Sequence, residues 1–196
     1  AIGFSVGSNA TVRDCVATGN TSIGFVGTNA VTFIGCVASQ NGSDGFRTST
    51  TSAYTDCVAL NNGARGFGAG SSAGLSGCVA TSNGDDGFRV SVGCVIVSCT
   101  ANGNGADGFS LNTDCRITDS LADNNTEAGI AGASDCTIEN NTVTDNSTGI
   151  EAPSGALVIG NRAANNSPNF IITGPNAGPV VSGVAGATSP FSNIEY

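Results

Sequence analysis

Gly-Phe recurs at Gly3-Phe4, Gly24-Phe25, Gly45-Phe46, Gly66-Phe67, Gly87-Phe88 and Gly108-Phe109, always 21 residues apart. Such a period restricts the chain to folds built from stacked near-copies of one unit. Gly129-Ile130 keeps the spacing, and Gly149-Ile150 follows after 20 residues. Counting from the Phe or Ile as position 0, position +16 is asparagine in eight successive units: Asn20, Asn41, Asn62, Asn83, Asn104, Asn125, Asn146 and Asn166. Position +8 is always a larger apolar residue (Val12, Phe33, Tyr54, Leu75, Ile96, Ile117, Ile138, Val158). Position +13 is alanine in all units but one, where Val143 stands.

No 3.6-residue periodicity runs inside a unit, which argues against helical repeats. Apolar or small residues instead sit two apart, at +6/+8 and +11/+13, with further inward positions at 0 and +2. That is strand alternation in short segments, broken by Gly, Asn and Asp. Three short strands per unit, each stacked on its counterpart in the next, make three parallel sheets around one core. The rest of each coil serves as the crossover that parallel strands require, and such crossovers are right-handed. The expected fold is all-β: a right-handed parallel β-helix of about eight 21-residue coils over residues 1–169, with 170–196 as a C-terminal capping or tail segment.

The recurring columns have physical causes. The glycine before position 0 implies either a positive φ or a close backbone approach at a corner. Asparagine at +16, stacked about 4.8 Å from its neighbours, can donate its amide to the next side-chain carbonyl. A buried amide ladder of that kind satisfies itself, whereas one missing rung leaves polar groups unpaired. Sequons at Asn20, Asn41 and Asn146 fall inside this inward column, and the others at Asn9, Asn124, Asn140 and Asn165 are by-products of the same Asn/Ser/Thr-rich repeat.

The pattern GFxxxxxxxxxDCVAxxN with an inward Asn column resembles the right-handed β-helix repeat proteins, a superfamily that includes pectate lyases, polygalacturonases, phage tailspikes and NosD-like carbohydrate-associated repeats. The resemblance covers roughly residues 1–170 and implies fold, not activity. The ending GPVVSGVAGATSPFSNIEY resembles that of exported bacterial proteins of this kind, which implies an extracellular or cell-surface location. In such proteins an N-terminal part of the helix precedes the repeats, so a missing N-terminal cap is expected here, where Ala1 is already in register.

Charge and composition narrow the function. Fifteen acidic residues against six arginines and no lysine give a net charge of −9. No basic footprint for nucleic acid exists, and no apolar run is long enough for membrane insertion. Without histidine or lysine, the commonest general base and the amine nucleophile are missing, and a serine nucleophile would have no histidine partner. Carboxylates, arginines and two tyrosines remain, enough in principle for a glycosidase or lyase. Asp85-Asp86 in NGDDGF is similar to the paired aspartates of polygalacturonases, but that family's NTD, GHG and RIK elements are missing.

Eight cysteines fall into two columns: Cys15, Cys36, Cys57, Cys78 and Cys99 at +11, and Cys94, Cys115 and Cys136 at +6. Both positions share parity with inward columns, so the plainer reading is two stacks of free, buried thiols packing as small hydrophobes. The alternative is inter-coil disulfides, for which one scheme uses all eight: Cys15–Cys36, Cys57–Cys78, Cys94–Cys99 and Cys115–Cys136. In-register Cβ atoms are slightly too far apart for that without distortion. A zinc site needs four convergent ligands, and linear ladders do not converge.

Two outward features are left. Column −2 reads Asp44, Arg65, Asp86, Asp107 on successive coils, with Arg47 and Arg89 beside it at +1. The plain reading is a surface salt-bridge ladder, each pair contributing about 0–1 kcal/mol. The pectate-lyase-like resemblance implies a calcium-binding, arginine-bearing face that grips acidic sugar, with calcium possible at Asp85, Asp86 and Asp107, given six to eight oxygens. The second feature is an outward strip, Val16, Val37, Val58 and Val79 at +12 with Thr18, Ser39, Leu60 and Thr81 at +14. It could lie under the tail after Phe170, pack against another copy, or face ice. The expected function is a non-catalytic structural or adhesive solenoid, self-associating through coil ends or the valine strip. The alternatives are a polysaccharide-binding or polysaccharide-degrading module using the Asp/Arg face, and ice binding.

Overall fold

The computed structural model describes residues 1–174, 176–183, 189 and 191–196, so of the expected tail, residues 175, 184–188 and 190 lie outside the described residues. The backbone winds as a parallel solenoid. Position 0 lies in one strand of the first sheet in every coil, from Phe4–Val6 to Phe170–Ile172. The second sheet centres on +8, from Thr11–Arg13 to Leu157–Ile159, and the third on +13, from Val16–Thr18 to Arg162–Ala164. All named pairings are parallel and in register, Phe67 on Phe88 and Ala80 on Ala101 for example. The 20-residue step is absorbed at the corner after Asn146, so Ile130 still pairs with Ile150. Among the described residues there is no helix, hence none long and apolar enough to cross a membrane.

A coil turns at three corners, and each carries one residue in the left-handed region. Their φ values are positive at +5, +10 and +15 throughout, as in Thr51, Asp56 and Asn61 of one coil or Ser72, Gly77 and Ser82 of the next. Gly, Asn and Asp tolerate this conformation best and fill most of the three corner positions. The residue after each such corner points inward, which places +6, +11 and +16 in the core. The glycine before position 0 is needed for the other reason: a Cβ on Gly66 would stand 2.6 Å from the Gly87 carbonyl and 2.9 Å from Asn83 Nδ2.

The core is layered rather than mixed. Phe4, Phe25, Phe46, Phe67, Phe88 and Phe109 form a continuous ring stack with centroids 4.8–4.9 Å apart. Phe33 and Tyr54 meet it edge-on from the second sheet, and the Tyr54 hydroxyl is satisfied by Thr48 at 2.7 Å. Along the corner between the third and first sheets each ladder asparagine donates Nδ2 to the next Oδ1 at 2.8–3.0 Å, from Asn20 through to Asn166. The second Nδ2 proton goes to a carbonyl one coil back, and the same Oδ1 accepts a backbone N–H, as with Asn62 on Ala38 and Asn83. Asn169 ends the run by presenting its Oδ1 to Asn166 at 2.9 Å.

All eight cysteines are free thiols. Seven are buried, and their sulfurs hydrogen-bond to backbone carbonyls, Cys94 to Gly70 at 3.2 Å and Cys115 to Ser91 at 3.0 Å. The +11 column then changes character: Cys99 is followed by Ser120, Asn141 and Asn161, a second ladder with Nδ2–Oδ1 contacts of 3.0 and 3.1 Å. Its last rung is Asn193. Strand Asn193–Glu195 joins the third sheet beside Arg162–Ala164, and Val180–Ser182 pairs outside it. The described part of the tail thus extends the third sheet at its C-terminal end rather than lying over the valine strip, where Val16 is exposed and Val37, Val58 and Val79 are half-buried.

Two expected outcomes check this account. Asn83→Ala strands the N–H and Nδ2 donors of Asn62 and should cost about 3 kcal/mol in chemical denaturation, one of the larger single-site losses in the chain. Thr51→Gly removes a β-branched side chain from a φ of 48° and should raise stability by about 1 kcal/mol, read as a higher melting temperature.

Candidate functional site

Positions −2 and +1 flank the start of each first-sheet strand, so their side chains rise on one face from successive coils. Asp44 is fully buried, contrary to a surface ladder. Arg47 donates Nε to its Oδ2 at 2.7 Å, while Arg65, one coil on, donates Nε to Oδ1 and Nη2 to Oδ2, both at 3.1 Å, and its backbone N–H to Oδ1 at 3.2 Å. The two guanidiniums stay partly in solvent. Position +1 of Arg65's own coil is Gly68, and a Cβ there would stand 3.6 Å from both the Arg65 guanidinium carbon and Asp44 Oδ2.

Asp86 repeats the position two coils later, but with a looser cation: Arg89 Nη1 stays 3.6 Å from Oδ2. Asp107, not an arginine, stands on the next coil, donating only its backbone N–H to Asp86 Oδ1 at 3.2 Å. Asp86 Oδ2 is buried without a hydrogen-bond partner. Burial, and then the charge of Asp85, pushes the Asp86 carboxyl above its ordinary value. Burial pushes Asp107 up to about 6 against the opposing N–H of Ala128, with Asp86, Glu127 and Glu151 adding to the rise. Asp85 is half-buried beside this pair. Among the described residues no three acidic or thiol groups converge to hold a metal ion, the set Asp85, Asp86 and Asp107 included.

Arg47, Arg65 and Arg89 together line one groove of about 310 Å³, with Ser49, Ser91 and Asn112 supplying neutral polar groups. A smaller continuation runs past Arg89 to Ser110 and Ala133. Further along the same face lies an acidic hollow lined by Asp107, Glu127 and Glu151. Sequence columns identify the arginines. They miss Glu127 and Glu151, because one is the residue before column −2 and the other follows the shortened step. They also miss the Ser120–Asn141–Asn161 ladder, whose signal was the continuation of the cysteine column at +11. The buried thiols are shifted in both directions: burial raises Cys36, the Cys78 thiol and burial hold Cys57 far above the ordinary range, and the hydrogen bond with the Cys115 thiol lowers Cys94 to about 7.

With three parallel sheets, in-register coils and inward amide ladders, the chain has the fold of a right-handed parallel β-helix. Residues 1–97 match the family described as "Right handed beta helix region". No curated protein matches the chain. Among solved structures it is similar to two A-modules of mannuronan C-5 epimerases from Azotobacter vinelandii. That of AlgE6 matches with 16% identity and a TM-score of 0.61, over 94% of this chain and 56% of that one. That of AlgE4 matches with 18% identity and a TM-score of 0.62, over 94% of this chain and 58% of that one. The chain therefore spans little more than half of either module, and the likeness is one of fold.

Asp107→Asn tests the electrostatics of the hollow. A carboxyl whose folded pKa is raised binds its proton more tightly in the folded state, so it destabilises the fold once ionised: stability falls as pH rises from about 4 to about 6 and levels off above. The substitution should therefore add about 1 kcal/mol at pH 7, allowing for solvent screening, and nothing at pH 3.5, as urea unfolding at the two pH values will show.

Proposed function

We propose that this solenoid binds an acidic polysaccharide along its first sheet, in the arginine-lined groove, without transforming it. The carrying observation is the concentration of cation: three of the six arginines of a chain with net charge −9 line a single groove. Guanidinium suits this role, because its planar donors can engage a sugar carboxylate in pairs while the flanking hydroxyl and amide groups meet sugar hydroxyls. Asp44 holds two of the three side chains in place beforehand, which lowers the ordering cost of binding. Support of a more general kind comes from the fold neighbours, which are named for the polysaccharide mannuronan. With neither histidine nor lysine in the chain, a binding role fits better than acid–base chemistry. The reading calls for no cofactor and places the protein outside the cell or at its surface, where such polymers are met. Self-association through the half-exposed Val16, Val37, Val58 and Val79 strip would make the same surface multivalent.

Binding of polygalacturonate or mannuronan, followed by calorimetry at low salt, should weaken at least tenfold in the Arg47→Ala/Arg89→Ala double variant and fade as salt is raised. Arg116→Ala, on the second sheet and paired with Glu139, should leave it unchanged. Equal binding of neutral dextran, or an unaltered affinity in the double variant, would overturn the reading.

A further inference from the structure

Asp44 and Asp86 occupy the same corner two coils apart, and what stands on the following coil separates them. Over Asp44 it is Arg65, which donates to both carboxylate oxygens. Over Asp86 it is Asp107, which brings a second negative charge to the place where the repeat had put a positive one. The consequences are visible in the geometry. Asp86 is 3% exposed, yet its Oδ2 has no hydrogen-bond partner. Arg89 remains at 3.6 Å with its side chain 59% exposed, where Arg47 closes to 2.7 Å on Asp44. Asp107 accepts one backbone N–H, from Ala128 at 3.0 Å. It faces Asp86 from the preceding coil and Glu127 and Glu151 from the following ones; the charges on Asp86 are Asp85, Arg89 and Arg65.

We infer that the Asp86–Asp107 pair gates the groove by taking up a proton: the protonated pair frees Arg89 for an anionic glycan, and the ionised pair holds it back. This rests on the groove reading above and adds its regulation. Two stacked carboxylates with one loose cation beside Asp86 share their titration, so the pair takes up its first proton as a unit. Burial lifts Asp107 to about 6, so that proton is taken up in mildly acidic surroundings. Losing one of the two negative charges beside Arg89 weakens both the pull of the pair on its guanidinium and the repulsion felt by an incoming anion. Arg47 and Arg65 stay on Asp44 throughout and supply a baseline affinity at neutral pH.

The probe is dextran sulfate, whose charge does not change over the range used, with affinity measured by calorimetry at fixed ionic strength between about pH 5 and 7.5. In the native protein, affinity should rise about fivefold on acidification, the size of a modest coupling. Asp107→Asn should bind with the acidic-pH affinity at every pH. Arg89→Gln should still bind through Arg47 and Arg65, with no dependence on pH. Native binding that is firm but flat with pH overturns the gate and leaves the groove reading standing, as does a slope that survives either variant. No binding at any pH overturns the groove reading, and the gate falls with it. Carboxyl NMR gives an answer independent of any glycan: an Asp107 side chain titrating near 4 overturns the gate by itself.

Discussion

The in-register stacking of one asparagine on the next governs this molecule. A side-chain amide has two donors and an acceptor with two lone pairs, and in the +16 column all are used: one Nδ2 proton to the next asparagine, one to a carbonyl a coil back, and Oδ1 accepting from both the amide and the backbone of its neighbour. Such a network tolerates neither a slip of register nor a gap, because a displaced rung would leave several buried polar groups unpaired. The in-register stacking follows from it even where the period changes, since the 20-residue step from Asn146 to Asn166 keeps the same bond at 3.0 Å. The ring stack, the thiol columns and the alanine column are what fits beside a ladder that already sets the rise per coil.

Where the ladder ends, the chain repeats its own solution. Asn169 offers its Oδ1 to Asn166, and Asn193, arriving from a strand outside the coil sequence, does the same for Asn161. The described C-terminal edge of the third sheet is covered by the chain's own strands, in the way β-proteins manage open edges. The outermost described strand on that edge is Val180–Ser182, which pairs beyond Asn193–Glu195.

The same strict stacking creates the charged groove. A column of side chains on adjacent coils brings residues 21 apart into contact, so a substitution at one coil is felt by the carboxylates above and below. Arg65 over Asp44 and Asp107 over Asp86 are the same geometry with opposite chemistry. One gives a buried, multiply bonded ion pair; the other gives an orphaned oxygen and an acid shifted toward neutral pH. Because Gly68 leaves space between Arg47 and Arg89, the guanidiniums can converge on one groove instead of forming a flat row.

Sequence alone determined the coil, because its determinants are local and repeated: the Gly-Phe beat, the Asn column, the parity of the cysteines. It also named the arginines and aspartates of the charged face, since column membership needs only counting. What it could not supply was depth. Position −2 looks like a surface site by composition, and only the tertiary structure buries Asp44 beneath two guanidiniums from different coils. Burial depends on how long side chains fold over the corner, which no column records. Likewise the choice between positive φ and close approach for the repeat glycines was settled by the neighbouring coil, with Gly66 pressed against the Gly87 carbonyl while the left-handed corners fell at +5, +10 and +15. The second ladder shows the same limit. Ser120, Asn141 and Asn161 share a column in the sequence, but Asn193 joins them from 32 residues away, and only the folded tail brings it there.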